Sequence, residues 1–503
     1  MIKKIIVTIK SNLNTKYGVL MPKIEALLKK LIDYDQGRGI DTSLIYIDDA
    51  AIQQKYGLQA LTDFSPKSCK LRVDELYQMI TPEYLVIFGA QDVFPFQDIK
   101  NQVYSQGNDD DKIVPSDLPY ACDAPFSDDW NKFTSPTRVV GRIPDLPGDH
   151  QTDYIERIIE NIIKSSPQTR AYYGSYFASS AKVWQKSTEE SVKNIYGSYA
   201  ELVLCPPIIA GKVTKVQLGA MSHFYNCHGS LNTTDYYGQE GGSYPPSIST
   251  ALLDGKISYG NVTAAECCYG SQLLDPNIHG KSIASNYLFN GSLSFMGSST
   301  IAYGPVAGQG LADLICQYYL INVLAGASCG RAMLEARQKF LTVSGPTLDP
   351  LELKTLAQFH ILGDPSLQLV AAPVVKGIQD SIDNRRLNLF TKGINLGFST
   401  ASTVKQEEDD DAAENVQGIL EQTGFSGTSK MTFVVEPGLS TDFFINEVSK
   451  FNLKAMPVIP ESIKFQVYQQ SDQEKEQTIK QIKTLVVKVA NKKVLGYRVY
   501  LSR

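Results

Sequence analysis

The chain has 503 residues, of which 43% are hydrophobic and 20% are charged, and its formal net charge is −5. This length and composition predict two or three globular domains with sizeable cores, and they exclude fibrous and wholly disordered proteins. The charge is small and no long basic block is present, which argues against nucleic acid or a membrane surface as a partner.

The distribution of cysteines and the sequence of the N-terminus indicate the cellular compartment of the protein. The eight cysteines are spread over the whole chain rather than concentrated in a disulfide framework. No apolar run reaches the roughly 20 residues of a membrane helix. The first ten residues have a short, alternating apolar run without a small-residue cleavage site, so they predict a β-strand and not a signal peptide. We therefore expect a cytoplasmic protein, or one secreted without a cleaved signal peptide.

Strand and helix patterns alternate in the first third of the chain. Strands are predicted at residues 3–9, 43–47, 84–88 and 139–144, and helices at 24–32, 73–80 and 153–163. Such alternation implies a mainly parallel sheet with helices on both faces. Residues 101–136 form a long, polar, aspartate-rich connection, and connections of this length are uncommon unless they serve a site.

A second series of alternating strands and helices follows, and after it comes a segment of different composition. Its predicted strands are 172–178, 202–205, 223–227, 262–267 and 293–296, and its predicted helices are 189–196, 249–253, 283–289, 311–324, 329–340 and 351–361, before a short closing strand. The remainder holds an acidic, solvated run at 406–414 and a hairpin signature at 484–489 and 495–501. We predict an N-terminal α/β subdomain (1–165), a second α/β subdomain (166–372) and a small β-containing C-terminal module (373–503).

Two short motifs follow two of these strands. His228-Gly229 ends one apolar block, and Cys267-Cys268 ends the next, with 268 − 228 = 40 residues between the histidine and the second cysteine. If the two strands are parallel neighbours, joined by a right-handed crossover through the predicted helix 249–253, their ends share one edge of the sheet. A thiol is only slightly ionised at neutral pH, so a nucleophilic cysteine requires an imidazole or another positive neighbour. The two motifs therefore predict cysteine chemistry at this edge.

The ordered set of motifs resembles the cysteine peptidases that include caspases, legumains and gingipains, and the gingipain-like family most. The shared features are the His-Gly and acid-small-Cys blocks, a Gly-Arg-hydrophobic-Pro segment at 141–144, a Gly-Asp-Pro-Ser-Leu ending at 363–367, and the segments 236–239 and 295–299. The resemblance spans residues 84–367 and implies a caspase-like α/β fold whose second subdomain is catalytic.

The resemblance also implies roles for individual residues. Cys268 would be the nucleophile and His228 its acid/base partner, and the main-chain N–H groups of Gly229 and Cys268 would stabilise an oxyanion. Cys267 remains open as the alternative nucleophile. The acid that supports the histidine in gingipains is missing from the matching stretch 136–138, which leaves a plain Cys/His dyad.

The specificity pocket cannot be aligned with the family's pocket. Asp117, Gln239 and Asp149 are the candidate substrate-binding residues, with Asp145 as a further acid near the same segment. Cleavage after arginine or lysine is not predicted from the sequence.

We expect no metal or cofactor. Cys227, His228, Cys267 and Cys268 form two adjacent pairs, and adjacent residues seldom close one zinc tetrahedron. Calcium, which some peptidases of this clan require, is a weaker alternative at the acidic run 109–111, which lacks the spaced ligands of a calcium loop.

The sequence predicts a cysteine endopeptidase that acts on peptide or protein substrates, in an oligomeric state that it does not reveal. Two alternatives stay open. One is a transpeptidase or isopeptidase on the same fold, and the other is a non-enzymatic peptide- or protein-binding module built on a decayed peptidase fold.

Overall fold

The computed structural model describes residues 2–345, 347–371, 403–407, 415–425, 429–436, 463–472 and 479–503. None of the helices in these ranges has the length and apolarity that a bilayer crossing requires.

The elements of the described ranges fall into three groups along the chain. The first group is β1 (Ile2–Thr8), α1 (Lys10–Tyr17), α2 (Met21–Gly37), β2 (Ile40–Tyr46), α3 (Ala51–Tyr56), α4 (Pro66–Ile80), β3 (Tyr84–Phe88), β4 (Gln97–Lys100), β5 (Ile113–Ser116), β6 (Val139–Ile143) and α5 (Asp153–Ile163). The second group is β7 (Tyr176–Ala181), α6 (Gln185–Tyr196), β8 (Leu202–Cys205), α7 (Lys215–Leu218), β9 (Ser222–Asn226), β10 (Asp235–Tyr237), β11 (Pro246–Ser249), β12 (Val262–Ala265), α8 (Ile283–Phe289), β13 (Ser294–Ser298), β14 (Tyr303–Pro305), α9 (Leu311–Leu324), α10 (Cys329–Ser344), α11 (Pro350–Gln358) and β15 (Phe359–Gly363). The third group is β16 (Thr403–Glu407), α12 (Val416–Thr423), β17 (Ser429–Glu436), β18 (Ile463–Asp472), β19 (Gln481–Ala490) and β20 (Lys493–Ser502).

A ten-stranded sheet forms the centre of the first two groups, in the order β2-β1-β3-β6-β15-β13-β12-β9-β7-β8. Its strands pair in parallel except β13 and β15, which are antiparallel. The predicted α/β class with a mainly parallel sheet is therefore confirmed. The predicted boundary at residues 165 and 166 lies between α5 and β7, so this one sheet continues through both predicted subdomains.

Helices cover both faces of the sheet because the side chains of a strand alternate between the faces. In β1, Ile5 and Val7 pack in one buried cluster with Val73 of α4, whereas Ile6 packs in another cluster with Leu27 of α2. Strands β3, β6 and β9 are buried along their whole length. This fits the apolar sequence of β3, whereas β6 and β9 also bury polar side chains, among them Arg142, His223 and Asn226.

Three of the predicted elements are wrong in part. No helix occupies 249–253, because residues up to Ser249 pair with β10 as an antiparallel ribbon and leave only a single 3-10 turn at Thr250–Leu252. A 3-10 turn at Tyr172–Gly174 precedes β7, where the prediction started the strand. The helix predicted to reach residue 361 ends at Gln358, because residues 359–363 are buried between β6 and β13 and extend to pair with both.

The third group forms a six-stranded sheet in the order β14-β20-β19-β18-β17-β16. The predicted hairpin is confirmed as β19 and β20, and its turn residues Asn491 and Lys492 have φ of 48° and 63°, as a type I′ turn requires. Of the predicted acidic run, Gln406 and Glu407 end β16, and residues 408–414 lie outside the described residues. One edge strand, β14, comes from the α/β part of the chain, so the C-terminal sheet is continuous with that part.

Two of the motifs that suggested the family pack against each other in the core. A Cβ atom on Gly141 would lie 2.9 Å from Cδ of Pro365, so only glycine fits there. The next residue, Arg142, is buried and forms a two-pronged ion pair with Asp117. These motifs therefore hold the seam between β6 and β15 together.

Candidate active site

The two motifs with reactive side chains, at His228 and Cys268, lie at one edge of the ten-stranded sheet. The strands that precede them, β9 and β12, are parallel neighbours with Ala265 opposite Tyr225, which confirms the predicted strand arrangement. His228 follows the end of β9 and Cys268 follows the end of β12. Strands β8 and β9 lie on opposite sides of β7 in the sheet, so the strand order reverses here. Such a topological switch point is where α/β proteins bind ligands.

The main chain at Gly229 touches the main chain at Cys268. A Cβ on Gly229 would lie 2.8 Å from the carbonyl carbon of Cys268 and closer still to its oxygen. Glycine is thus the residue that lets the two loops meet. Their N–H groups converge on one acceptor, the main-chain oxygen of Arg503, at 3.4 Å from the nitrogen of Gly229 and 3.1 Å from that of Cys268.

The Cys268 thiol lies in a tight turn with 4% of the residue exposed. Its sulfur contacts the main chain of Ala302, at 3.3 Å from the nitrogen and 3.5 Å from the oxygen. Tyr269 has a φ of 53°, which is unfavourable for a side chain of this size, and its hydroxyl donates to Asp111 over 2.8 Å. Burial raises the pKa of the Cys268 thiol to about 12, although the Ala302 N–H opposes the shift.

Cys267 lies on the core side of the same turn and is completely buried. Its carbonyl oxygen accepts a hydrogen bond of 2.8 Å from the hydroxyl of Ser298. Burial raises the pKa of its thiol well above the ordinary value. Of the two cysteines, only Cys268 contacts the strand-like segment at 302–305.

The imidazole of His228 is held by an amide, not by an acid. Its Nε2 lies 2.8 Å from Oε1 of Gln239, while the amide nitrogen of Gln239 donates to the carbonyl of Gly241. A carbonyl can only accept, so the amide oxygen faces His228, Nε2 carries the proton, and Nδ1 is left as the basic nitrogen. Gln239 was a candidate substrate-binding residue, and in the structure its amide oxygen contacts the imidazole of His228.

The electrostatics of His228 favour the neutral ring. Burial lowers its pKa to about 3, against the hydrogen bond to Gln239, and the positive charge of Arg503 lowers it further. The ring packs on Trp184, with 4.3 Å between the ring centroids. Within the described part of the chain, no hydrogen bond joins the His228 ring to the Cys268 sulfur. Both residues neighbour Arg503, whose charge acts on the imidazole and whose main-chain oxygen accepts the N–H of Cys268.

The side chain of Arg503 fills a pocket beside the two motifs. Its Nη2 donates to Oδ1 of Asp313 over 2.9 Å, its Nε lies 3.9 Å from Glu266, and its guanidinium carbon lies 4.4 Å from the centre of the Trp184 ring. The pocket exists because Gly304 lacks a side chain, since a Cβ there would overlap the guanidinium. Burial and the neighbouring Asp313 carboxylate raise the pKa of Glu266 well above its ordinary value.

The acids proposed from the sequence lie elsewhere. The carboxylate of Asp117 is taken by Arg142, and that of Asp145 by Lys16 and the hydroxyl of Tyr17. Asp149 accepts a hydrogen bond from the main-chain nitrogen two residues later. In the described contacts, none of the three touches Arg503.

The acidic run 109–111 supports the site from behind. Asp109 is buried against Lys354 and accepts from the hydroxyl of Tyr303 at 2.9 Å, and Asp111 accepts from the nitrogen of Ile301 at 2.9 Å. Lys480 pairs with Asp110 at 2.6 Å. These carboxylates thus position the segment that faces Cys268. The described residues contain no group of three or more His, Cys, Asp or Glu side chains arranged to hold a metal ion.

Several residues of this site were not found from the sequence. The sequence contains one indication of Asp313, which is the single charged residue of the mainly apolar helix α9. It contains no indication of Trp184, Ala302 or Gly304, because their roles depend on the folding of distant loops onto the sheet edge. Arg503 follows the predicted hairpin, and no sequence pattern pointed to it.

A thiol, an imidazole and two converging N–H donors at the carboxyl ends of parallel strands define the class of cysteine-dependent acyl-transfer enzymes. The model of peptidase family C25 matches residues 5–370, and the chain belongs to this family of gingipain-type cysteine peptidases. The protein is thus a hydrolase that acts on peptide bonds. No curated protein sequence matches the chain significantly.

Solved structures provide more distant similarities. One, described as the structure of a protease, is 14% identical with a TM-score of 0.48, and the match covers 100% of this chain and 94% of that one. Another, the separase–securin complex of Saccharomyces cerevisiae, is 10% identical with a TM-score of 0.31, and the match covers 46% of this chain and 14% of that one.

The contact between Gly229 and Cys268 leads to a prediction. Replacing Gly229 by alanine pushes the two loops apart and displaces both N–H groups, and a displacement of about 1 Å costs on the order of 100-fold in rate. We expect kcat/KM for peptide hydrolysis to fall by about that factor in G229A. The matched control is Gly211→Ala, where nothing lies within 4 Å of the added carbon. Equal activity in both variants would show that this contact does not position the site.

Proposed function

We propose that the protein is an endopeptidase that cleaves on the carboxyl side of arginine through a Cys268 thioester. This proposal rests on the main-chain oxygen of Arg503, which accepts from the N–H groups of both Gly229 and Cys268. A substrate carbonyl in that position would be polarised by two donors and would lie beside the nucleophile.

The chemistry follows from the groups present. Nδ1 of His228 takes the thiol proton, and the sulfur of Cys268 adds to the carbonyl carbon while the two N–H groups stabilise the oxyanion. The C–N bond then breaks as His228 returns the proton to the leaving amine, which leaves a thioester. A water molecule, deprotonated by His228, adds to the thioester; the C–S bond breaks and the proton returns to sulfur.

Gln239 positions the base in this scheme. Its neutral amide oxygen fixes the tautomer of His228, as a carboxylate would, but it adds no negative charge that favours an imidazolium. This supports a dyad rather than a triad.

The pocket supports arginine in preference to lysine. A guanidinium is planar, stacks on an aromatic ring and remains charged, and here it meets the indole of Trp184 and the carboxylate of Asp313. A lysine ammonium would keep the charge but would lose the stacking.

The dyad is tested with fluorogenic peptides that end in arginyl-aminomethylcoumarin. Cys268→Ala and His228→Ala remove the nucleophile and the base, so we expect each to lower kcat by at least about 10³-fold. The matched control, Cys267→Ala, lacks only a buried neighbour of the nucleophile and should keep most of the activity. Hydrolysis at the parent rate by C268A, or its loss in C267A alone, would contradict the assignment.

The pocket is tested through the ratio of kcat/KM for arginine peptides to that for citrulline peptides, since any ligand that competes for the pocket cancels from the ratio. Asp313→Asn removes the charge that pairs with the guanidinium, and a charged hydrogen bond contributes about 2 to 3 kcal/mol, so the ratio should fall on the order of 100-fold. Glu266→Gln is the matched control, because the Glu266 carboxylate lies 3.9 Å from Nε of Arg503, beyond hydrogen-bond distance, and the ratio should change much less. A larger effect in E266Q than in D313N would overturn the pocket assignment.

A further inference from the structure

We propose that the end of β20, residues 500–503, is a built-in competitive inhibitor that occupies the active site as a substrate-like peptide. This inference rests on the proposed function, because it takes the arginine pocket and the oxyanion donors as the places where a substrate binds.

Residues 500–503 follow the path of an extended peptide through the site. Ser502 pairs with Tyr303, and Tyr500 with Pro305, in the antiparallel ladder between β20 and β14. The nitrogen of Arg503 donates to the carbonyl of Ala302 over 2.9 Å. Strand addition to an exposed edge is a common way to bind peptides, with side-chain pockets that provide specificity. The segment therefore uses main-chain contacts that any bound peptide would need.

Tyr500 anchors the segment three residues before the arginine. The residue is 1% exposed, and its hydroxyl donates to Asp349 at the start of α11 over 2.8 Å. On the same strand, Arg498 pairs with Glu352 at 3.0 Å. Both carboxylates belong to the α/β part of the chain, so the peptidase region itself supplies a receptor for a tyrosine at this position.

The occupied site cannot accept another peptide. Arg503 is 1% exposed and fills its pocket, and its main-chain oxygen accepts the N–H groups of both Gly229 and Cys268. Cys268 is buried beneath it. A substrate can bind only after residues 500–503 leave β14, so the arrangement is a resting state.

The attachment of the segment makes it an effective competitor. β20 pairs with β19 from Ala490↔Lys493 to Lys483↔Leu501, and the hydroxyl of Ser502 accepts from the nitrogen of Ile482. The ladder with β14 has three residue pairs and one further main-chain hydrogen bond at each end, so this short ladder can open while the longer hairpin persists. A ligand tethered this closely has an effective concentration on the order of millimolar or above, which free substrate must overcome.

The experiment compares the full chain with its Arg503→Ala variant on an arginyl-aminomethylcoumarin peptide. Emptying the pocket should raise kcat/KM about 10- to 100-fold, mainly through a lower KM, because the tethered competitor is weakened. Tyr500→Phe removes only the anchoring hydroxyl and should give a smaller rise in the same direction. The matched control on the same strand is Tyr497→Ala, whose ring is 42% exposed, and its kcat/KM should equal that of the parent.

A second readout separates this inference from the proposed function. Iodoacetamide labelling of Cys268, followed by peptide mass spectrometry, measures whether the thiol is covered and does not require catalysis. Faster labelling in R503A without peptide hydrolysis in any variant would support the inhibitor and refute the arginine-specific peptidase. Equal labelling and equal kcat/KM in the parent, R503A and Y500F, all folded by circular dichroism, would overturn the inhibitor.

Discussion

One shared hydrogen-bond acceptor organises the site. The main-chain oxygen of Arg503 accepts the N–H groups of two loops that start from neighbouring parallel strands, β9 and β12. Under the proposed function, these two donors would stabilise the negative charge of an oxyanion at this point without reorganisation, because the sheet fixes both loops. The arginine pocket, the His228 ring and the Cys268 thiol all lie around this oxygen.

The precision of this arrangement depends on close backbone contacts. Gly229 lies against the carbonyl of Cys268, and Gly297 lies against the nitrogen of Ser271, where a Cβ would approach to 2.8 Å. The strained φ of Tyr269 is retained because the Tyr269 hydroxyl is bound to Asp111. The acidic run 109–111 thus contributes to the shape of the turn at Cys268, which gives a physical reason for a long polar connection in a compact α/β protein.

Much of the fold was predictable because its signals are local. Strand 84–88 and helix 153–163 have the predicted bounds, since a buried apolar run and a strong helical periodicity each determine their own structure. The helix expected at 249–253 failed because five residues cannot define a helix when a neighbouring strand is available. The pairing of β20 with β14 joins residues about 200 positions apart, and no local pattern reports it.

The residues of the site also divide into those that local sequence predicts and those that only the fold brings together. His228, Gly229 and Cys268 were named from motifs, because adjacent parallel strands bring their ends together by rule. Gln239 was named as a candidate substrate-binding residue, and its contact with His228 was not predicted, since the sequence does not reveal toward which partner an amide turns. The acids of the pocket were sought among Asp117, Asp145 and Asp149, near the family-like segments. The structure instead brings Asp313 to Arg503, from a helix whose apolar sequence indicated only burial.

If Cys268 attacks the carbonyl carbon of Arg503, a chain extended by ten residues after Arg503 is a substrate of its own active site, and intact-mass spectrometry shows whether it is cleaved. We expect the extension to be lost at the bond after Arg503, at a rate independent of protein concentration, and to be retained in the Cys268→Ala variant. Retention of the extension by a protein that hydrolyses arginyl peptides, or equal loss in the Cys268→Ala variant, would show that Arg503 does not lie at the point of attack.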